Sequence, residues 1–113
     1  MFRFTSLKSS LTPIVTTCDP NTNKTHIGSK NYVVKSGNVV TVSVIVIADT
    51  ALTSSDRLIT LPYKAKQNGV YQISSNDGNT NEFLSHITDF YVYPDSAVAS
   101  GAIIRMSFVY ICE

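Results

Sequence analysis

The sequence lacks any run of positive charge. Its 113 residues contain nine Lys and Arg and eight Asp and Glu, which gives a net charge of +1. A protein that binds nucleic acid needs clustered cations against the phosphates, so we expect no nucleic acid partner. The charged fraction is only 15%, against about 25% in average globular proteins. Ser, Thr and Asn replace charged residues, which is typical of all-β proteins and also suits neutral partners such as sugars.

Long hydrophobic runs are absent as well. The longest covers residues 44–48, whereas a transmembrane helix needs about 20 apolar residues. Residues 1–11, MFRFTSLKSSL, lack the continuous apolar core of a signal peptide. We therefore expect no membrane insertion and no classical export, with synthesis in the cytoplasm. Residues 1–13 are interpreted either as a native start or as the end of a longer stalk.

Cysteine is scarce, with Cys18 and Cys112 near opposite ends of the chain. A disulfide between them would close a large loop and stabilise the fold by several kcal/mol in the chain-entropy model. Cysteines in strands of a protein without an export signal are more often reduced, small core residues. We favour two thiols and keep the disulfide as the alternative.

Catalytic and metal-binding patterns are also missing. Cys112 and His86 show no spacing that would indicate a thiol–imidazole pair. Glu82 and Asp89 are better explained as solvated residues beside a strand than as a glycosidase pair, whose carboxyl groups lie about 5–10 Å apart. His26 and His86 lack zinc-ligand spacing. The sequence therefore predicts a protein that is not an enzyme and that uses no cofactor and no metal.

The most informative segment present is residues 31–47, NYVVKSGNVVTVSVIVI. It is typical of two strands joined at a turn that contains Ser36 and Gly37. Strand side chains alternate between two faces, and the even positions 40–46 are all valine. The odd positions of this strand begin partly polar, with Thr41 and Ser43, and then turn to Ile45 and Ile47. A final strand over residues 102–111 is also largely apolar on both faces.

A strand that is apolar on both faces can bury one face in its own domain and needs cover for the other. Burial of apolar surface contributes roughly 25 cal/mol per Å² to the free energy of folding or association. Apolar strands that stay exposed to solvent favour aggregation. We therefore predict that identical copies of the chain cover this face. The predicted interface residues are Val39, Ile45, Ile47, Ile103, Val109 and Ile111.

Turn signals divide the chain into about eight short strands, and no segment has the period of a helix. The predicted strands cover residues 14–18, 32–35, 39–47, 57–61, 69–74, 82–93, 97–99 and 102–111. The strongest turn signal is SNDGNTN at residues 75–81. The pattern predicts a single all-β domain, a compact antiparallel β-sandwich or barrel. Residues 31–113 form its head, and residues 1–30 form a lead-in with one short strand.

Two groups of residues have the chemistry of a sugar site, which combines amides and carboxylates with aromatic rings that cover the C–H face of a sugar. The predicted ligand-binding residues are Asn76, Asp77, Asn79 and His86 near the strongest turn, and Arg57 and Tyr63 on either side of the Leu61-Pro62 step. Turn geometry alone also explains the first group, and both interpretations stay open. Tyr91, Tyr93 and Tyr110 are interpreted as interface residues.

The order of these motifs resembles a known family. Residues 32–42 are YVVKSGNVVTV, Leu61-Pro62 follows a polar loop, and the last strand contains SFVYI at residues 107–111. Over residues 31–112 the chain is similar to the C-terminal head domain of phage tail-tip receptor-binding proteins and tail fibres, above all in phages of Gram-positive bacteria. It departs from that pattern after Leu61-Pro62, where a second proline is absent, and at residues 94–96, where Asp-Gly or Asn-Gly is commoner.

The resemblance implies a jelly-roll-like homotrimer at the tip of a virion tail fibre or baseplate. Its partners would be host cell-surface saccharide or teichoic acid, further copies of itself and other tail proteins. Three weak sites on one axis would raise avidity without new contacts. Two alternatives stay open: a structural or decoration protein of a virion that binds only protein, and a trimeric ligand domain of the tumour-necrosis-factor and complement type.

Overall fold

The computed structural model describes residues 12–68, 72–76 and 82–113. All regular structure in these ranges is β-strand and every strand pairing is antiparallel, so the predicted all-β sandwich class is confirmed. The strands are β1 (Ile14–Thr16), β2 (Asp19–Pro20), β3 (Thr25–Ser36), β4 (Val39–Ala48), β5 (Ile59–Thr60), β6 (Gln72–Asn76), β7 (Glu82–Thr88), β8 (Tyr91–Pro94) and β9 (Ile103–Ile111).

The strands are hydrogen-bonded in the order β1-β3-β4-β9-β6-β7-β8-β5-β2. We call β1-β3-β4-β9 the first sheet and β6-β7-β8-β5-β2 the second sheet. The two sheets meet where Asn76 of β6 lies opposite Arg105 of β9. β9 is the last strand in the chain, yet it lies between β4 and β6. Pro20 lies in the terminal strand β2, the kind of strand in which sheets tolerate a residue that cannot donate to a ladder.

The hairpin of β3 and β4 dominates the first sheet. Its loop is the dipeptide Gly37-Asn38, between the paired residues Ser36 and Val39. Gly37 has a φ of 61°, at the first loop position, where type II′ turns carry glycine. The even positions of β4 are fully buried, as the valine pattern predicts.

The core lies between the two sheets. Its largest fully buried side chains are Tyr110, Leu52, Leu58, Ile59, Leu61, Ile87, Ile104, Val33, Val40, Val42 and Val44. Cys18 and Cys112 are buried free thiols, so the predicted reduced state is the one that the structure has. Burial raises the pKa of the Cys18 thiol to about 12, with the charge of Asp19 adding to the effect. The thiol is therefore protonated at neutral pH.

The side chain of Asn31 in β3 forms hydrogen bonds to the backbone at the corner between β1 and β2. The Cys18 amide donates to Asn31 Oδ1, and Asn31 Nδ2 donates to the Cys18 carbonyl, each at 2.8 Å. These two bonds replace the ladder bonds that a neighbouring strand would supply. Because β1 and β2 lie at opposite ends of the strand order, Asn31 holds the chain where it passes between the sheets.

Several strand boundaries differ from the predicted ones. β3 begins at Thr25 rather than at residue 32, so the predicted boundary between lead-in and head falls inside a strand. The predicted strand over residues 82–93 is two strands, because Asp89 adopts a φ of 54° and turns the chain between them. The predicted strand over residues 97–99 is reduced to one bridge between Val98 and Leu52.

Candidate functional site

Five side chains form a continuous row on the outer face of the second sheet. We call Arg57, Tyr91, Tyr93, His86 and Asp95 the aromatic row. The Arg57 guanidinium lies 5.3 Å from the centre of the Tyr91 ring. Tyr91 and Tyr93 meet edge to face at 6.2 Å, and His86 stacks on Tyr93 at 5.8 Å with the two ring planes 24° apart.

Strand alternation places the row outside the core. Tyr91 and Tyr93 flank Val92, which is fully buried, and His86 precedes the fully buried Ile87. His86 is the register partner of Tyr93, so the two side chains lie side by side on one face. Tyr91 and Tyr93 are both half-buried and present part of their rings to solvent.

One end of the row is a hydrogen-bonded imidazole–carboxylate pair. His86 Nδ1 lies 2.5 Å from Asp95 Oδ1. A carboxylate can only accept a hydrogen bond, so the imidazole donates from Nδ1 and keeps Nε2 as an acceptor when the ring is neutral. Both side chains keep more than a third of their surface exposed, which leaves them open to a ligand's hydroxyl groups.

The other end of the row is the cation of Arg57. Among the described residues, Arg57 forms no ion pair, and its guanidinium contacts the Tyr91 ring. Within the part of the chain that the structure describes, the buried Arg57 Nε has no hydrogen-bond partner. Stacking of a guanidinium on a ring is favourable, and it holds the donors of Arg57 at the edge of the row.

The structure brings together only part of the predicted sugar site. Arg57 and His86 belong to the same row. Tyr63 contacts the first sheet instead, because its ring lies 5.3 Å from Lys35 Nζ and its carbonyl accepts from the Tyr110 hydroxyl at 2.8 Å. These contacts of Tyr63 do not include the row, and its part in a ligand site stays a prediction.

The turn residues of the predicted sugar site are only partly described. Asn76 ends β6 opposite Arg105. Asp77 and Asn79 lie outside the described residues, so their contribution stays a prediction.

Three members of the row, Tyr91, Tyr93 and Asp95, were not predicted as ligand-binding residues. The alternation of Tyr91 and Tyr93 in the sequence was the available signal, and it was assigned to an interface. The pairing of β8 with β7 and β5 brings these three residues together with Arg57.

The outer face of the first sheet carries the predicted interface residues in two groups. Val39, Val109 and Ile111 lie together with Val15 and Val34, and we call these five residues the apolar cluster. Val15 is opposite Val34, and Val39 is opposite Ile111. Val15 is 56% exposed and Val109 is 54% exposed.

The second group, Ile45, Ile47 and Ile103, lies further along the same face. Ser43 and Ser107, paired across β4 and β9, separate it from the apolar cluster. Ile103 is exposed, whereas Ile45 and Ile47 are half-buried. The predicted single interface is thus interrupted by polar residues.

A bulge in β3 lies beside the second group. The pairing passes from Ile27 opposite Val46 to Asn31 opposite Val44, so residues 28–30 span the position of Ile45 alone. A Cβ atom on Gly28 would lie 2.9 Å from Ile45 Cγ2 and 3.3 Å from its carbonyl oxygen. Glycine at this position lets the two strands approach.

Replacing Gly28 with alanine is expected to lower the free energy of unfolding by about 1–3 kcal/mol, because the added methyl group displaces Ile45 or the bulge. Urea denaturation followed by circular dichroism measures the change. Ser29→Ala, at the exposed neighbouring residue, is the control and should change stability by less than about 0.5 kcal/mol. Equal stability of Gly28→Ala and the parent would contradict the close approach.

Comparison with family models, with curated proteins and with solved structures finds no match to this chain. Within the described ranges, no three or more His, Cys, Asp or Glu residues are grouped so that they could hold a metal ion. None of the described residues form a helix long and apolar enough to cross a membrane.

Proposed function

We propose that this protein is a non-enzymatic receptor-binding head of the phage tail-tip type, which captures a host cell-surface saccharide as a homotrimer. The observation that carries the proposal is the aromatic row. It combines half-exposed aromatic rings with a cation at one end and an imidazole–carboxylate pair at the other. The resemblance of residues 31–112 to such heads supplies the class of host ligand and the number of copies.

The chemistry of the row suits a sugar ring. Tyr91 and Tyr93 offer apolar faces that can cover the C–H face of a pyranose. Asp95 and His86 Nε2 accept from hydroxyl groups, and the guanidinium of Arg57 donates to them. A few placed polar groups beside apolar surface are the usual composition of a small-molecule site.

The apolar cluster supports self-association. Its residues come from four adjacent strands of the first sheet, so they form a continuous surface rather than scattered exposed side chains. Contiguous apolar patches of this kind mark interfaces in soluble proteins. The aromatic row lies on the other sheet, so trimerisation through the cluster leaves three rows free for multivalent capture.

A glycan array probed with the intact protein tests the proposal. We expect binding to a defined set of saccharides, and at least about a tenfold loss of affinity for them in Tyr93→Ala, since buried tyrosines often contribute more than about 1.4 kcal/mol to binding. His86→Ala, titrated alongside, should also lose affinity, and Asp77→Ala reports whether the predicted turn contributes to the same site.

The matched control is Phe90→Ala, which removes an exposed ring from the turn next to β8. It should bind like the parent protein. An array without a bound saccharide, or a Tyr93→Ala variant with unchanged affinity, would contradict the proposal.

A structural virion protein that binds only protein is the second candidate, because the apolar cluster alone would serve such a role. It predicts stable self-association together with a glycan array that shows no binding. The array and a native mass spectrum of the same sample therefore separate the two functions.

A further inference from the structure

A groove opens on the outer face of the first sheet beside the bulge in β3. Its volume is about 340 Å³. The residues that line it are Lys30, Ser43, Val44, Ile45, Arg105, Met106 and Ser107. Residues 28–30 leave the regular ladder beside Ile45, and Lys30 of this bulge lines the groove. Bulges often re-aim side chains next to binding sites.

The polar groups of the groove are all suited to negative charge. Lys30 and Arg105 contribute two cations, and Ser43 and Ser107 contribute two hydroxyl groups. Its described lining contains no carboxylate. Among the described residues neither Lys30 nor Arg105 takes part in an ion pair, whereas Lys24 and Lys64 each have an acidic partner.

We propose that this groove binds an oxyanion, either a phosphate or a carboxylate group. A guanidinium presents two parallel N–H donors that match such a group, and an ammonium adds a compact charge. Hydroxyl groups on the floor donate the remaining hydrogen bonds. The proposal rests on the groove and its charges and does not depend on the proposed saccharide function.

The groove also explains why the outer face divides into two apolar groups. If a second copy covered Ile45 and Ile103 together with the apolar cluster, Arg105 and Lys30 would be enclosed without a counter-charge. Burial of unpaired charge is costly. The self-interface is therefore centred on the apolar cluster, and the groove stays at its margin with access to solvent.

The proposal is tested by titrating the protein with inorganic phosphate and, separately, with acetate. The ionic strength is held constant, and binding is followed by the amide chemical shifts of the protein. Saturable shifts are expected at Ser43, Ile45 and Ser107. Arg105→Gln and Lys30→Gln should each weaken binding by about tenfold or more, because a charge-assisted hydrogen bond is worth about 1.5–3 kcal/mol. Whether phosphate or acetate binds more tightly identifies the class of oxyanion.

Lys66→Gln is the control, since it removes one exposed positive charge outside the groove. It should bind like the parent, and Arg105→Lys should retain part of the affinity. Circular dichroism confirms that each variant is folded. The proposal is overturned if neither anion produces saturable shifts at the groove, or if Lys66→Gln weakens binding as much as Arg105→Gln.

Discussion

Replacing Asn31 with alanine is expected to lower the free energy of unfolding by about 2–4 kcal/mol, because two backbone groups at the corner between β1 and β2 lose their partners. Cys18 is only 3% exposed, so water does not replace the bonds that Asn31 makes to its amide and carbonyl. A buried backbone group left unpaired costs about 1–3 kcal/mol. For a domain of this size the midpoint of thermal unfolding should fall by about 10 °C or more.

The control for this experiment is Asn38→Ala. Asn38 is exposed in the β3–β4 loop, and the bond it makes there is through its backbone carbonyl, which accepts from the Cys112 amide. This variant should unfold within about 0.5 kcal/mol of the parent. If Asn31→Ala matched Asn38→Ala, the corner would not depend on the side chain of Asn31.

Replacing Val109 with aspartate is expected to convert the proposed trimer into monomers. Val109 lies within the apolar cluster, opposite Thr41 and beside Val39 and Ile111 on the same face. A carboxylate enclosed at an interface without a partner costs several kcal/mol, and symmetry repeats that cost in every copy. Sedimentation velocity or native mass spectrometry at micromolar concentration measures the change.

Leu84→Asp is the matched control for assembly, since Leu84 is 43% exposed on the outer face of the second sheet. It should leave the trimer intact. A parent protein that is monomeric at these concentrations would refute self-association through the apolar cluster, and a trimeric Val109→Asp variant would place the interface elsewhere.

The alternation in β4 and β9 was readable from the sequence because side-chain direction in a strand depends only on position along it. Val42 and Ile104 face the core and Val39 and Ile103 face outward, as expected. The bulge in β3 was not readable. Its residues 28–30 look like a continuation of the preceding loop, and only pairing with β4 shows that the strand begins earlier.

The candidate site depended on contacts that no local pattern contains. Arg57 and Tyr91 are far apart in the chain and meet because β5 pairs with β8. Tyr63 is only a few residues from Arg57, yet the Leu61-Pro62 step leads it towards Lys35. The turn at Asp89 was not predicted, because it lies within a run of alternating residues. An aspartate that adopts a positive φ does not change the hydrophobic pattern from which strands are predicted.

The central position of β9 has a consequence for biosynthesis. While the ribosome extends the chain, β4 emerges long before the strand that will pair with its second edge, and β6 emerges without its link to the first sheet. Until β9 emerges, the valine-rich strand β4 can pair with β3 along one edge, while its other edge has no partner. Non-local pairing of this kind slows folding relative to pairing between neighbouring strands, so the step that joins the two sheets depends on the last strand.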